Sequence, residues 1–196
     1  MLFTGIFQRT FLKLALLLAF VVSYVLMLRI FKIEGKTQEN LDQLTIYIFL
    51  GTFIGARLGH CFFYEWSDYY KYHFLEIFIP FREVNGSWEF TGFQGLASHG
   101  AAIGILIALY MYAKKTKTNF VWIADRLVLV VPIAGALIRI GNFFNSEIIG
   151  KPTETDLPWA VIFEKANLTP YDLNLLPRHP AQLYEAGCYL IIFFVL

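Results

Sequence analysis

Long apolar runs, separated by short polar or aromatic segments, dominate this chain of 196 residues. Five of them have, or approach, the length of a membrane helix: residues 11–31, 44–63, 96–112, 120–140 and 180–196. The first, rich in Leu and Val, follows Arg9 and Lys13 in the manner of a signal peptide. No small-x-small cleavage pattern comes after it, and Arg29 and Lys32 close the run, so it reads as a retained helix. The second carries Gly51, Gly55 and Gly59 at every fourth position, a spacing that lets another helix backbone approach closely. The fifth opens at Pro180, which suits a first helical turn. Residues 65–94 hold Tyr69, Tyr70, Tyr72, Phe74, Phe78 and Trp88 and read as an interfacial arm rather than a sixth span. Residues 151–179, with Pro152, Pro158, Pro170 and Pro177, read as a small cap over the membrane surface. The pattern predicts an all-α polytopic integral membrane protein, a single membrane domain over residues 1–196.

Composition agrees. Hydrophobic residues make up 57% of the chain and charged ones 16%, well below the quarter or so usual in soluble domains; mean hydropathy is +0.55. A formal charge of +1, without a basic stripe interleaved with aromatics, gives no support to nucleic-acid binding. Charge placement predicts orientation. Arg29, Lys32 and Lys36 follow the first run and Lys114, Lys115 and Lys117 the third, whereas Lys71 and Arg82 are diluted by Glu65, Asp68, Glu76, Glu83 and Glu89. The lysine-rich loops are therefore expected in the cytoplasm, with the arm and the end of the fourth run outside, although Arg9 and Lys13 weigh mildly the other way. Cys61 and Cys188 lie in apolar segments with no metal-type or CxxC spacing and are expected to be buried small hydrophobes.

Chemistry concentrates at three places. The fourth run ends in Arg139-Ile-Gly-Asn-Phe-Phe-Asn-Ser-Glu-Ile-Ile-Gly150, an arginine, two asparagines, a serine and a glutamate at membrane depth, where polar groups are costly. Arg139, Asn142 and Asn145 are spaced by three and Ser146 lies seven from Arg139, so a continuous helix would align them. Arginine offers a rigid fork for phosphate, and Gly141 and Gly150 permit close approach or a sharp exit. The alternative is a snorkelling arginine with a polar helix end. His99 sits among small residues in Gln94-Gly-Leu-Ala-Ser-His-Gly-Ala-Ala-Ile-Gly104, as a base or as a helix-start histidine bonded to a carbonyl. Pro177-Arg-His-Pro-Ala-Gln-Leu-Tyr-Glu185 places Arg178, His179 and Tyr184 at a helix entry and Glu185 inside the apolar run. Arg57, and Asp125 with Arg126, are intramembrane charges that usually pair, while His60 and His73 have no partner legible in sequence. No His/Cys/acid spacing suggests a metal site.

Ser98-His99-Gly100, the Arg139–Gly150 stretch, Pro177–Glu185 and Gly55-Ala-Arg-Leu-Gly59 together resemble the prolipoprotein diacylglyceryl transferases of bacteria, in order and spacing, from about Leu44 onward. The resemblance implies transfer of the diacylglyceryl group of phosphatidylglycerol onto the lipobox cysteine thiol in a prolipoprotein signal peptide, forming a thioether and releasing glycerol phosphate. It implies His99 and Arg139 as catalytic residues, and Arg139, Asn142, Asn145, Glu147 and Gly150 as phosphatidylglycerol-binding, with Glu147 orienting Arg139 or closing the site by a salt link. Arg178, His179, Tyr184 and Arg57 are lesser candidates. Membrane lipids are further partners, and neither cofactor nor metal is implied. The expected place is the bacterial cytoplasmic (inner) membrane, multi-pass, with the site facing outward. Such proteins have seven spans and a second needed arginine near the end, so the chain, stopping in the fifth, reads as a truncated version. The Trp-Tyr-Gly or similar start of span one is replaced by Phe11-Leu-Lys-Leu, so no headgroup-contacting tyrosine is carried over, and His-Gly-Gly by His99-Gly100-Ala101. Two other classes compete. A transporter or channel fragment with an anion-binding arginine would need inverted repeats or polar residues through several spans. An intramembrane hydrolase would need a nucleophile better placed than Ser98, which adjoins His99.

Overall fold

The computed structural model describes residues 2–84, 86–90, 92–93, 95–153, 157–163, 166 and 176–196, with backbone alone for residues 2–10 and Val84. Gln94 and Pro170 lie outside these residues. Five long helices stand where five apolar runs were expected: α1 (Leu2–Ile33), α2 (Gln38–Phe63), α3 (Ser98–Thr116), α4 (Phe120–Phe144) and α5 (Ala181–Val195). By length and composition, Phe11–Ile33 of α1, all of α2 and all of α4 are able to cross a membrane. The chain is a mostly helical, multi-pass membrane protein. Helix α3 is long enough at 19 residues, but His99 in its first turn and Lys114 and Lys115 in its last shorten its apolar part. Helix α5 has 15 residues. Boundaries run beyond the hydropathy reading at several ends, α2 starting at Gln38 and α3 ending at Thr116. Helix α1 starts at Leu2, and α4 runs past Ile140 to Phe144.

The chain divides into two compact units, Met1–Glu34 with Asp125–Leu196, and Gly35–Ala124. In the second unit α2 and α3 pack antiparallel with their backbones in contact. A Cβ added at Gly55 would lie 2.4 Å from the Gly100 carbonyl oxygen and 2.8 Å from Gly104 Cα; one at Gly51 would meet Gly104 O at 2.6 Å. The glycines read from α2 are thus met by Gly100 and Gly104 of α3. Such closeness is what small residues provide between membrane helices, where no hydrophobic force drives association. Tyr112 closes the far end, its hydroxyl donating to Asn40 O at 2.9 Å while its ring packs edge-on against Tyr47. Gly55→Leu is expected to separate the pair, since the obstructing atoms are backbone and cannot rotate away, costing about 1–3 kcal/mol or more. Thermal unfolding in detergent checks this. Gly187, whose added Cβ meets nothing within 4 Å, is the control, and Gly187→Ala should leave the midpoint unchanged or raised.

The arm leaves α2 as a π turn over Trp66–Tyr70, continues as a 3₁₀ turn over Phe74–Ile77, and ends in an antiparallel hairpin of β1 (Phe81–Val84) and β2 (Ser87–Phe90). Cα pairing runs from Phe81↔Phe90 to Val84↔Ser87. The all-helical expectation missed this hairpin, although the Asn85-Gly86 dipeptide between apolar residues is a hairpin signal. Gly86 has a φ of +81°. Arg57 holds the arm to α2: it is buried and donates to the carbonyl oxygens of Glu76 (2.7 Å) and Ile77 (3.2 Å), with its guanidinium over the Tyr70 ring. Glu76, 2% exposed, accepts from the Tyr69 hydroxyl at 2.5 Å and faces His73 at 3.4 Å and Arg82 at 3.9 Å. Burial, then the bond and the charge of Glu76, push the Tyr69 phenol up to about 12. His60 pairs with Glu65 at 3.1 Å. Both histidines that lacked a legible partner have one.

In the first unit α1 and α4 are antiparallel. Gly141 admits Ala15, whose Cβ would be 2.5 Å from an added methyl, and the Phe11 and Phe144 rings stack at 5.4 Å. At the other end Arg126 grips Glu34 at 2.8–3.0 Å and approaches Asp125 at 3.7 Å, the pairing expected of charges at a span's end. Pro132 lies inside α4. Helix α5 packs antiparallel to α4, with the Tyr189 ring over Gly135. Cys61 is buried, but Cys188 on α5 is exposed, contrary to the expectation for both. Its hydrophobic neighbours in sequence suggested an interior place, but that position of α5 is exposed.

Candidate functional site in the first unit

The site is built where α4 ends. Arg139 and Asn142, three residues apart, share a side of the helix. The helix stops at Phe144, and the backbone then enters the left-handed region at Ser146 (φ +57°) and Ile148 (φ +53°). That conformation costs a β-branched residue such as Ile148 about 1–2 kcal/mol. Strain of this kind clusters at functional sites. Ser146 therefore leaves the side on which a continuous helix would align it with Arg139. Instead the turn folds Glu147 back, with its N–H donating to Asn142 O at 3.0 Å.

The Glu147 carboxylate accepts from Asn142 Nδ2 and Asn145 Nδ2, each at 3.1 Å. Both asparagines are buried, at 6% and 8% exposure. Glu147 was expected to orient or salt-link Arg139. The ion pair of Arg139 is with Glu185 on α5, Nε to Oε2 at 2.6 Å. The reason is packing: α5 lies along α4, bringing Glu185 to Arg139, while the turn carries Glu147 onto the two amides.

The entry of α5 and the described residues 150–163 close around this turn. Gln182, fully buried, donates Nε2 to Glu147 O at 2.7 Å. Arg178, 7% exposed, donates Nη1 to Gly150 O at 3.2 Å, and its backbone pairs in both directions with Val161 at 3.0 Å. Gly150 is a close-approach glycine: an added Cβ would sit 2.2 Å from His179 O. The Tyr184 hydroxyl accepts from Trp159 Nε1 at 2.8 Å and lies 3.2 Å from His179 Nδ1. Arg178 and Tyr184 thus fasten Gly150, Trp159 and Val161 to the helix entry. Trp159, Gln182 and Glu185 were not among the site residues expected from sequence. Only Glu185 left a signal, as a carboxylate inside an apolar run that calls for a partner.

Two of the site residues expected from sequence belong to the other unit. His99 is the second residue of α3, exposed, and its imidazole has no hydrogen-bond or ion-pair partner among the described residues. Gly100, next to it, is pressed against the Gly55 carbonyl, which fixes the backbone that carries the imidazole. Arg57 is committed to the arm as described above.

Chemically, the first unit presents a quarter-exposed arginine side chain at the end of an apolar helix, backed by a carboxylate and adjoining an amide-rich turn. That suits the phosphate of a lipid better than a permeating ion, which needs a path lined with weak sites. The family model described as prolipoprotein diacylglyceryl transferase matches residues 6–196. Curated relatives that the chain matches bear the name phosphatidylglycerol–prolipoprotein diacylglyceryl transferase. That of Bacteroides fragilis is 45% identical over 160 residues, covering 81% of this chain and 54% of the relative. That of Tolumonas auensis is 44% identical over 178 residues, covering 90% and 61%. That of Chloroherpeton thalassium is 44% identical over 177 residues, covering 90% and 58%. The chain spans about half to three fifths of the length of these relatives. With the match running through the α4 turn, the helix entry at Pro180 and the glycine seam alike, the chain belongs to the prolipoprotein diacylglyceryl transferase family.

Proposed function

We propose that this protein transfers the diacylglyceryl group of phosphatidylglycerol to the lipobox cysteine of a prolipoprotein signal peptide. The carbon–oxygen bond to the phosphate breaks, a carbon–sulfur bond forms, the thiol proton passes to a base, and glycerol phosphate leaves. The observation that carries this reading is Arg139: a side chain kept 25% exposed at a helix end, one turn from Asn142 and charge-balanced by Glu185. The names of the relatives supply the two substrates.

Within this reading Arg139 holds the phosphate and stabilises the charge that develops as it leaves. Asn142 and Asn145, braced on Glu147, and Gly150 shape the headgroup site around it. His99 takes the thiol proton, since a cysteine thiol is mostly protonated at neutral pH. Arg178, His179 and Tyr184 shape the entry of α5. We further infer that α3 and α5 also cross the membrane, that 65–94 is an arm at its surface, and that 151–179 caps the outer face. Exposed Tyr72, Phe78, Trp88 and Phe90 on the arm favour a membrane–water boundary. The lysines after α1 and α3 favour a cytoplasmic side opposite the site, in the inner membrane of a bacterium, among the membrane lipids.

The test is direct. Membranes carrying the chain are given phosphatidylglycerol and a lipobox peptide, and the peptide is weighed by mass spectrometry. A peptide heavier by one diacylglyceryl group, from which base strips the acyl chains but not the glyceryl group on sulfur, is the expected result. No adduct at a verified protein level would overturn the reading for this chain.

A further inference from the structure

We propose that Glu185 is a positioning residue for Arg139, presenting the guanidinium to the phosphate by one edge while holding it by the other. This rests on the phosphate-anchor reading of Arg139 given above.

A guanidinium has two edges able to accept an oxyanion, one formed by Nε with a terminal nitrogen and one formed by the two terminal nitrogens. Glu185 meets Arg139 at Nε, on the first edge. The terminal edge is left to grip a phosphate with two parallel donors. Exposure fits this division, for Arg139 is 25% and Glu185 43% exposed. Arg178 and Arg57, at 7% and 6%, are instead sunk onto backbone carbonyls.

The rotation of α5 that aims Glu185 is fixed by its neighbours. Gln182, three residues before it, is bound to Glu147 O, and Tyr189, four residues after it, packs on Gly135 of α4. Positions three and four apart lie on one helical face, so Gln182, Glu185 and Tyr189 form the side of α5 turned to α4. At the entry, Tyr184 is fastened between Trp159 and His179. The carboxylate is therefore carried on a pinned helix, which is what a group that orients another side chain requires.

The competing role is charge balance alone, a neutralising partner for an arginine at membrane depth. Kinetics separate the two. In the full chain, Glu185→Gln keeps shape and removes charge; Glu185→Asp keeps charge and shortens the reach by one methylene. We expect Glu185→Gln to raise the KM for phosphatidylglycerol at least tenfold, with the KM for the lipobox peptide unchanged, and Glu185→Asp to recover part of the loss. An unchanged KM for the lipid, or equal behaviour of the two variants, would overturn the positioning role. A lowered KM would do so as well, because the carboxylate would then be competing with the phosphate. Should Glu185→Gln fail to accumulate, Glu185→Asp decides alone, with a raised lipid KM in support and an unchanged one against. Arg139→Ala tests the underlying reading separately. If it leaves the lipid KM and the rate intact, the phosphate anchor itself falls; if it abolishes activity while Glu185→Gln is silent, only the present inference falls.

Discussion

Arg139→Ala is expected to cut thioether formation on the order of 10²–10³-fold at normal protein level, the scale of losing one preorganised donor to a developing anion. The argument is one of placement and charge. Arg139 stands on α4 within a turn of Asn142, and its guanidinium is the only cation paired with Glu185 among the described residues. Removing it takes away the donors proposed for the phosphate and leaves the Glu185 carboxylate without its partner at membrane depth. Stability has to be followed alongside, because an uncompensated charge also destabilises. Arg139→Lys separates the two effects. The ammonium can still balance Glu185 but has no planar fork. We expect it to restore protein level and thermal midpoint and to recover only a small part of the rate. Undiminished product from Arg139→Ala, measured by peptide mass, would end the phosphate-anchor role.

His99→Ala is expected to lower the rate at neutral pH by about 10²-fold, within the usual range for loss of a general base. His99 lies exposed on a helix start whose backbone is locked by the glycine seam, so the substitution should leave the α2–α3 pair intact. The chemistry offers an independent readout. A free cysteine thiol, with a pKa of about 8.5, is only about 3% ionised at pH 7. Raising the pH through the thiol pKa should therefore rescue His99→Ala by up to about thirtyfold, since hydroxide then does the work of the base. The intact protein should gain far less. A variant as active as the parent at neutral pH would remove His99 from the reaction. Lost activity with no rescue by pH would leave it a structural role and refute the base.

How much of this was legible from residues alone differs from element to element. The five helices were, because each is announced by its own apolar run, and three of them are long and apolar enough to cross a membrane. The glycine repeat of α2 was equally plain, and implied a close partner without saying which. Gly100 and Gly104 became that partner only when α3 folded back. The arm shows the opposite case. Its aromatics masked a hairpin and a buried carboxylate network around Glu76, since ring content says nothing about strand pairing. The α4 turn lies between. Arg139, the asparagines and Glu147 stood out as a cluster, yet a helical spacing rule aligned Ser146 with them where the backbone in fact turns left-handed.

By itself, then, the chain's order of residues determined that it is a membrane protein of several helices, which segment concentrates polar chemistry, and which family it resembles. Those properties are local, written in hydropathy and in short runs of residue types. Tertiary structure alone decided which carboxylate answers which donor: Glu185 for Arg139, forty-six positions away, and Glu147 for the two asparagines beside it. Ion pairs at membrane depth are chosen by which helix faces pack together, and the facing of α5 on α4 is set by contacts such as Tyr189 on Gly135 that no local pattern encodes.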